Sequence, residues 1–191
     1  MFNKSSKEMK QVFDETRKNM GKSIDYFKSQ LAGVRTGRAS SSLVEKVRAD
    51  YYGQQTELSQ MATISVPDAR TIVIQPWDRN SISTIEKAIQ AADLGFNPHS
   101  DGTVIRISVP PLTEERRKEM VKLCKKYAEE TRVAVRNLRR DAIDMLKKME
   151  KAKEISEDDL KRGTDEIQKK TDSSIKDIDK LVETKEKELM D

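Results

Sequence analysis

The chain is poor in almost everything that carries chemistry or covalent stability. Its 191 residues include one cysteine and one histidine. A single thiol excludes an internal disulfide, and one Cys with one His cannot form a Cys/His metal constellation, so no metal and no cofactor are expected. Seven glycines and five prolines are about half the usual share of ~12%, so long stretches lack breakers. Hydrophobic residues make up 35% and aromatics 5%, against ~45–50% apolar in an ordinary domain. That excludes one large compact core and favours thin helical layers. The longest run without a charge is Leu58 to Pro67, ten residues, well short of the ~18 needed to span a membrane. The start, Met1-Phe2-Asn3-Lys4-Ser5-Ser6-Lys7-Glu8, has no apolar h-region, so no signal peptide and a cytoplasmic location are expected.

What the chain has is charge, 37 basic and 33 acidic residues. Ten of the twelve Gly and Pro residues lie between Gly33 and Pro111, and charge density divides the same way. Residues 33–111 carry eight charges of each sign, whereas residues 112–191 carry 22 basic and 21 acidic. The expectation is a two-domain α+β protein. Residues 1–32 and 112–191 form an elongated antiparallel three-helix bundle, and residues 33–111 form a small inserted β/α/β domain on two short connections.

Met9, Phe13, Thr16, Met20, Ile24, Phe27, Leu31 and Val34 recur at spacings of three and four, which lines one helical face. Ser5 to Glu8 fits a capping box ahead of it. In the middle segment Thr71–Ile74 and Thr103–Val109 read as strands, with Arg48–Tyr52 and Met61–Val66 as weaker ones. Ser83-Thr84-Ile85-Glu86 predicts a second capping box, Ile82, Ile85, Ile89 and Ala92 a short helix stripe, and Gly95 its stop. Pro110-Pro111 then punctuates the chain. Beyond Thr113, a cap, a seam of Val121, Cys124, Ala128, Thr131, Val135, Leu138, Ala142, Met145 and Met149 repeats as heptads. Ser156 caps the last helix, with Ile155 and Leu160 placed as a hydrophobic staple; Leu160, Ile167, Ile175, Ile178, Leu181, Val182 and Leu189 form its stripe.

Catalytic patterns fail on inspection. Gly21-Lys22-Ser23 looks like the tail of a phosphate loop, but the required upstream glycine is Thr16 and the segment is helical. Cys124 lies on the seam, which favours a small core residue over a nucleophile. His99 reads as a loop residue with no partner to orient it as a base. Trp77, at a strand end, favours core packing over a partner contact. No enzyme is expected.

The strong pattern is on the second bundle helix. Projected at ~100° per residue, one arc holds Lys118, Lys122, Lys125, Arg132, Arg136, Arg139, Arg140 and Lys147, with Glu129 as its only acid. Residues 113–151 carry 13 basic and 8 acidic residues, and residues 152–191 carry 9 and 13. One reading is a solvated face salt-bridged to the acidic third helix. The other is a grip on a structured phosphate backbone. Four arginines fall within nine residues, Arg forks bind phosphate bidentately, and Arg132/Arg136 and Arg136/Arg140 are like-charge i,i+4 pairs that a polyanion would relieve. No aromatics interleave with them, which disfavours single-strand stacking.

Longer motifs narrow the choice. Val34-Arg35-Thr36-Gly37-Arg38-Ala39-Ser40, Tyr51-Tyr52-Gly53, Glu86-Lys87-Ala88-Ile89 with Asp93-Leu94-Gly95, Pro110-Pro111-Leu112-Thr113-Glu114-Glu115-Arg116-Arg117-Lys118, Arg132 through Ala142, Ile155-Ser156-Glu157-Asp158-Asp159 and Lys185-Glu186-Lys187-Glu188 together resemble the bacterial ribosome recycling factor family over essentially the whole chain. The resemblance implies an L-shaped, tRNA-sized monomer that binds the large ribosomal subunit and its ribosomal RNA. With elongation factor G and GTP it would split post-termination ribosomes. It places RNA contacts on Arg136, Arg139 and Arg140, to which the ridge adds Arg132, Lys122 and Lys125; Arg117, beside the ridge at the start of the helix, is taken as a further RNA contact. It makes Gly33, Arg35, Thr36, Gly37, Arg38, Pro110 and Pro111 a hinge. A few extra N-terminal residues and His99 depart from the family pattern. The other open readings are a self-associating coiled-coil rod, which would have no use for an inserted β/α domain, and an enzyme.

Overall fold

The structure is a computed structural model that describes residues 4–191; the start of the N-terminal extension lies outside the described residues. It is a helical-plus-sheet protein that divides into two compact units. One holds the chain up to Arg35 and again from Glu114 to Asp191, and the other is Thr36–Thr113.

Three long helices build the first unit: α1 Lys4–Ala32, and, after the inserted segment, α3 Glu114–Lys151 and α4 Glu157–Met190. No one of them can bury its stripe alone, and each packs on the other two. Met20, Phe27, Cys124, Ala128, Val135, Leu146 and Ile178 are wholly enclosed. The seam departs from the heptad expectation at its far end. Leu146 is buried, whereas Met145 is 47% exposed. A nearly straight helix drifts by ~20° per heptad against a 3.5-residue repeat, so the buried line slips by one residue over this length. Small residues let the helices close up. A Cβ on Gly163 of α4 would lie 2.8 Å from Leu146 Cδ1 and 3.2 Å from Phe13 Cζ. Thr16, Thr131 and Thr171 are buried with each hydroxyl donating to the carbonyl four residues back, at 2.7 to 2.8 Å.

The helix ends test the caps. Ser5 and Ser6 lie inside α1, so the first capping box is not the start of that helix. Ser156 does cap α4: its hydroxyl accepts from the Asp159 amide at 3.0 Å, and the Asp159 carboxylate accepts from the Ser156 amide at 3.3 Å. Ile155 is buried in a core cluster against which Leu160 also packs, the placement a staple calls for. α3 ends with Lys153 at φ 58, the Lys153 amide donating to the Glu150 carbonyl at 2.8 Å and the Glu154 amide to the Met149 carbonyl at 2.9 Å. That is a Schellman closure with a lysine where glycine is usual.

In the second unit, β1 Arg48–Tyr51 and β2 Gln54–Glu57 form a hairpin. A four-stranded antiparallel sheet follows in the order β3-β4-β6-β5, built from β3 Ala62–Asp68, β4 Thr71–Pro76, β5 Pro98–Ser100 and β6 Ile105–Ser108. α2 Ile82–Ala91 covers it, and Ile72, Ile74, Ile85, Ile89, Ile105 and Ile107 make a fully enclosed core. Pro67 and Pro98 sit on the two edge strands, where a missing amide costs no ladder bond. Tyr52 and Gly53, at φ 49 and 85, form the primed hairpin turn.

Several expectations change here. β2 and β5 are strands not foreseen, and His99 lies within β5 opposite Arg106, not in a loop. Ser83 is already inside α2, whose N-cap Ser81 makes no side-chain capping bond; Asp78 instead caps the short 3-10 turn Arg79–Ser81 ahead of it, accepting from the Asn80 amide at 2.9 Å. The chain leaves α2 through Asp93 at φ 47, two residues before Gly95. Trp77 is 66% exposed, with its indole N–H donating to Thr63 Oγ1 at 2.9 Å, so it is not a core residue.

Candidate nucleic-acid interface

α3 is one uninterrupted helix of 38 residues, about 57 Å long at 1.5 Å per residue. Its buried stripe fixes its rotation against α1 and α4, and that fixes which charges face outward. The four arginines fall on one flank but differ in what already holds them.

Arg132 is the most engaged. Its Nε and Nη2 reach Asp179 Oδ1 of α4 at 3.0 and 2.6 Å, its Nη1 reaches Glu129 at 3.1 Å, and its side chain is only 22% exposed. Burial alone would lower this guanidinium's pKa, but the Asp179 and Glu129 carboxylates outweigh it and hold it more firmly protonated. Arg136 reaches only the other oxygen of Glu129, at 3.3 Å. Arg139 leans on a neutral group, the Gln168 side-chain oxygen of α4 at 3.4 Å. Arg140 is exposed and has no hydrogen-bond or ion-pair partner among the described residues. Readiness to meet an outside anion therefore rises from Arg132 to Arg140.

Along the same helix Lys122, Lys125 and Lys147 are exposed and unpaired among the described residues. Lys118 is held by Glu114 at 3.5 Å. Arg117 is half-buried, with its Nε enclosed and without a hydrogen-bond partner. The two readings of the basic face thus divide by residue: Arg132 is in a salt bridge to α4, and Arg140 and the free lysines are open to solvent. Sequence reasoning did not supply Asp179 and Gln168. The acid excess of residues 152–191 pointed to α4, but not to which positions on it.

The expected hinge residues are held unequally. Gly33 donates to the Ser29 and Gln30 carbonyls at 3.3 and 3.2 Å and Val34 to Leu31 at 3.1 Å, so both continue the end of α1. Gly37, at φ 74, is bound into the small unit: a Cβ there would lie 2.8 Å from the Leu112 backbone nitrogen, and its carbonyl accepts from Arg70. The β3–β4 turn also takes the Ala39 amide on the Ala69 carbonyl at 2.8 Å and the Val109 amide on the Arg70 carbonyl at 2.7 Å. Arg35 and Arg38 are exposed and each makes an interaction; Thr36 is half-buried, and Pro110 and Pro111 are exposed.

The sites of the failed enzyme patterns are structural. Gly21, Lys22 and Ser23 are inside α1. Cys124 is enclosed in the bundle, and burial pushes its thiol pKa up, away from the reactive thiolate. No group of acidic, His and Cys side chains among the described residues could hold a metal ion. No helix among them is long and apolar enough to cross a membrane.

Comparison with known proteins agrees with this geometry. Residues 27–190 match the family model for ribosome recycling factor. The chain is 54% identical over 183 residues to the ribosome-recycling factor of Syntrophomonas wolfei, covering 96% of this chain and 99% of that one. It is 57% identical over 182 residues to that of Geobacillus thermodenitrificans, covering 95% and 98%. Among solved structures it resembles a solution structure of the ribosome recycling factor at TM-score 0.78 and 49% identity, covering 96% and 97%. It also resembles, at TM-score 0.65 and 49% identity with 96% and 99% covered, the Thermus thermophilus factor placed with Escherichia coli elongation factor G on the E. coli post-termination complex. A match of this extent, carried through helices and sheet alike, makes the chain a member of the ribosome recycling factor family.

Proposed function

We propose that the protein grips large-subunit ribosomal RNA through the outward flank of α3 and, with elongation factor G and GTP, splits post-termination ribosomes so that they can be reused in the cytoplasm. Arg136, Arg139 and Arg140 are the principal phosphate contacts, and Lys122, Lys125 and Arg117 extend them along the helix. Arg132 braces the ridge from behind through Asp179. The observation that supports this most is the graded engagement of the four arginines, which leaves Arg140 unpaired on an exposed face. An unpaired guanidinium beside partly paired ones is costly in a free helix and is relieved by a polyanion.

In this account the chain is a monomeric lever without a nucleotide site of its own. The helical unit, the chain up to Arg35 and from Glu114, stays anchored while the inserted unit, Thr36–Thr113, meets the motor protein. Because Gly33 is tied to α1 and Gly37 to Arg70, the pivot is Arg35–Thr36 on one connection and Leu112–Thr113 on the other. Sedimentation of post-termination ribosomes with this protein, elongation factor G and GTP, each omitted in turn, tests the reading. Subunits should appear only when all three are present. Splitting without this chain, or without GTP, contradicts it.

A further inference from the structure

The ridge contains one acid, and its position is not incidental. Glu129 sits one turn before Arg132 and two before Arg136, so its carboxylate lies among the arginine forks. Its two oxygens are divided between them, 3.1 Å to Arg132 Nη1 and 3.3 Å to Arg136 Nη1. Arg132 has a second anchor in Asp179 and does not depend on Glu129. For Arg136, Glu129 is the only anion engaged among the described residues. A carboxylate presenting oxygens to a guanidinium is the geometry of a phosphate presenting its own.

We infer that Glu129 is a built-in competitor for the RNA phosphate that Arg136 takes, and so sets how tightly and for how long the protein holds the ribosome. This rests on the ridge being the RNA grip. In the free protein Glu129 satisfies Arg136 and offsets the like-charge pair Arg132/Arg136. On binding, the phosphate must displace it, and on release Glu129 returns to the vacated fork. The bond is exposed and therefore weak; Glu129 is 58% and Arg136 40% exposed. It lowers affinity by a small factor without blocking the site. For a factor that must leave after each round, a modest self-shielding of one contact shortens residence, because interface changes act mostly on dissociation.

The test is Glu129→Gln, which removes the charge and keeps the side-chain shape, alongside Glu129→Ala, which also removes the acceptor. Glu130→Gln is the control: it makes the same change in net charge one residue on, off the ridge, where Glu130 meets Lys126 at 4.0 Å. Binding to purified large subunits is followed at several salt concentrations, with Arg140→Ala measured in parallel. Both Glu129 variants should bind about two- to fivefold more tightly, chiefly through slower dissociation. Their salt dependence should steepen, since one contact no longer replaces an internal pair. Multiple-turnover recycling should slow while a single round is unchanged, an effect that loss of helix stability would not produce. Equal tightening by Glu130→Gln would reduce the effect to net charge and overturn the inference. So would unchanged binding in both Glu129 variants while Arg140→Ala still weakens it. If Arg140→Ala has no effect, the ridge itself is wrong, and this inference falls with it.

Discussion

The ridge is only as rigid as the bundle beneath it, and two glycines test that packing with one chemical change. Gly21 of α1 has no heavy atom within 4 Å of where a Cβ would stand, whereas a Cβ on Gly163 of α4 would lie 2.8 Å from Leu146 Cδ1 and 3.2 Å from Phe13 Cζ. Glycine to alanine inside a helix gains ~1 kcal/mol of propensity at either site. At Gly21 nothing opposes that gain, so Gly21→Ala should stabilise by about 1 kcal/mol. At Gly163 the new methyl meets Leu146, which is fully buried and cannot swing into solvent. Overpacking of this kind costs ~1–3 kcal/mol, so Gly163→Ala should be neutral to ~2 kcal/mol destabilising after the propensity gain is counted. The propensity term cancels between the two variants, which leaves a gap of about 1–3 kcal/mol due to packing alone. Urea unfolding followed by helical circular dichroism measures both. Equal stabilisation by the two substitutions would refute the close three-helix contact at Gly163.

Lys153 closes α3 in the left-handed region, so Lys153→Gly should raise stability by about 1 kcal/mol and shift the thermal midpoint up by a few degrees. Arg132→Ala should destabilise the bundle by up to about 1 kcal/mol because it loses Asp179; paired with Asp179→Ala, the two losses should be less than additive. Arg140→Ala should leave the unfolding curve unchanged. The Asp159 carboxyl is held below its ordinary value by the Ser156 hydroxyl and amide and then by Arg162. A lowered folded-state pKa contributes stability above the unfolded value and loses it as pH falls through the folded one. Asp159→Asn should therefore flatten the acid side of the stability profile below about pH 4 and make little difference to its slope at neutral pH.

The long helices were legible because water enforces their pattern. Ile24, Phe27, Ile167 and Ile178 had to share faces, and all are buried. The Ser156 cap was legible because its partners lie within three residues. What escaped depended on distant pairing. Pro98-His99-Ser100 has no strand propensity and becomes β5 only by lying against β6. Gln54–Glu57 has no fully buried residue and is a strand because the Tyr52–Gly53 turn returns it to β1. Trp77 was misread because its type favours burial, whereas its position just past β4 leaves it outside the isoleucine core. In the ridge, projection found the arginines and their lone acid. Only the register of α4 against α3 could show that Arg132 belongs to Asp179 and that Arg139 meets Gln168.

The central claim, that the outward flank of α3 is the RNA grip, is tested most directly by the affinity of Arg136→Ala/Arg139→Ala/Arg140→Ala for large subunits as a function of salt. Each phosphate contact contributes about 0.7–0.9 to the slope of log affinity against log salt. The account predicts a large loss of binding at moderate salt, a slope shallower by roughly two to three, and an unchanged helical unfolding curve. Wild-type affinity and slope in the triple variant would contradict it.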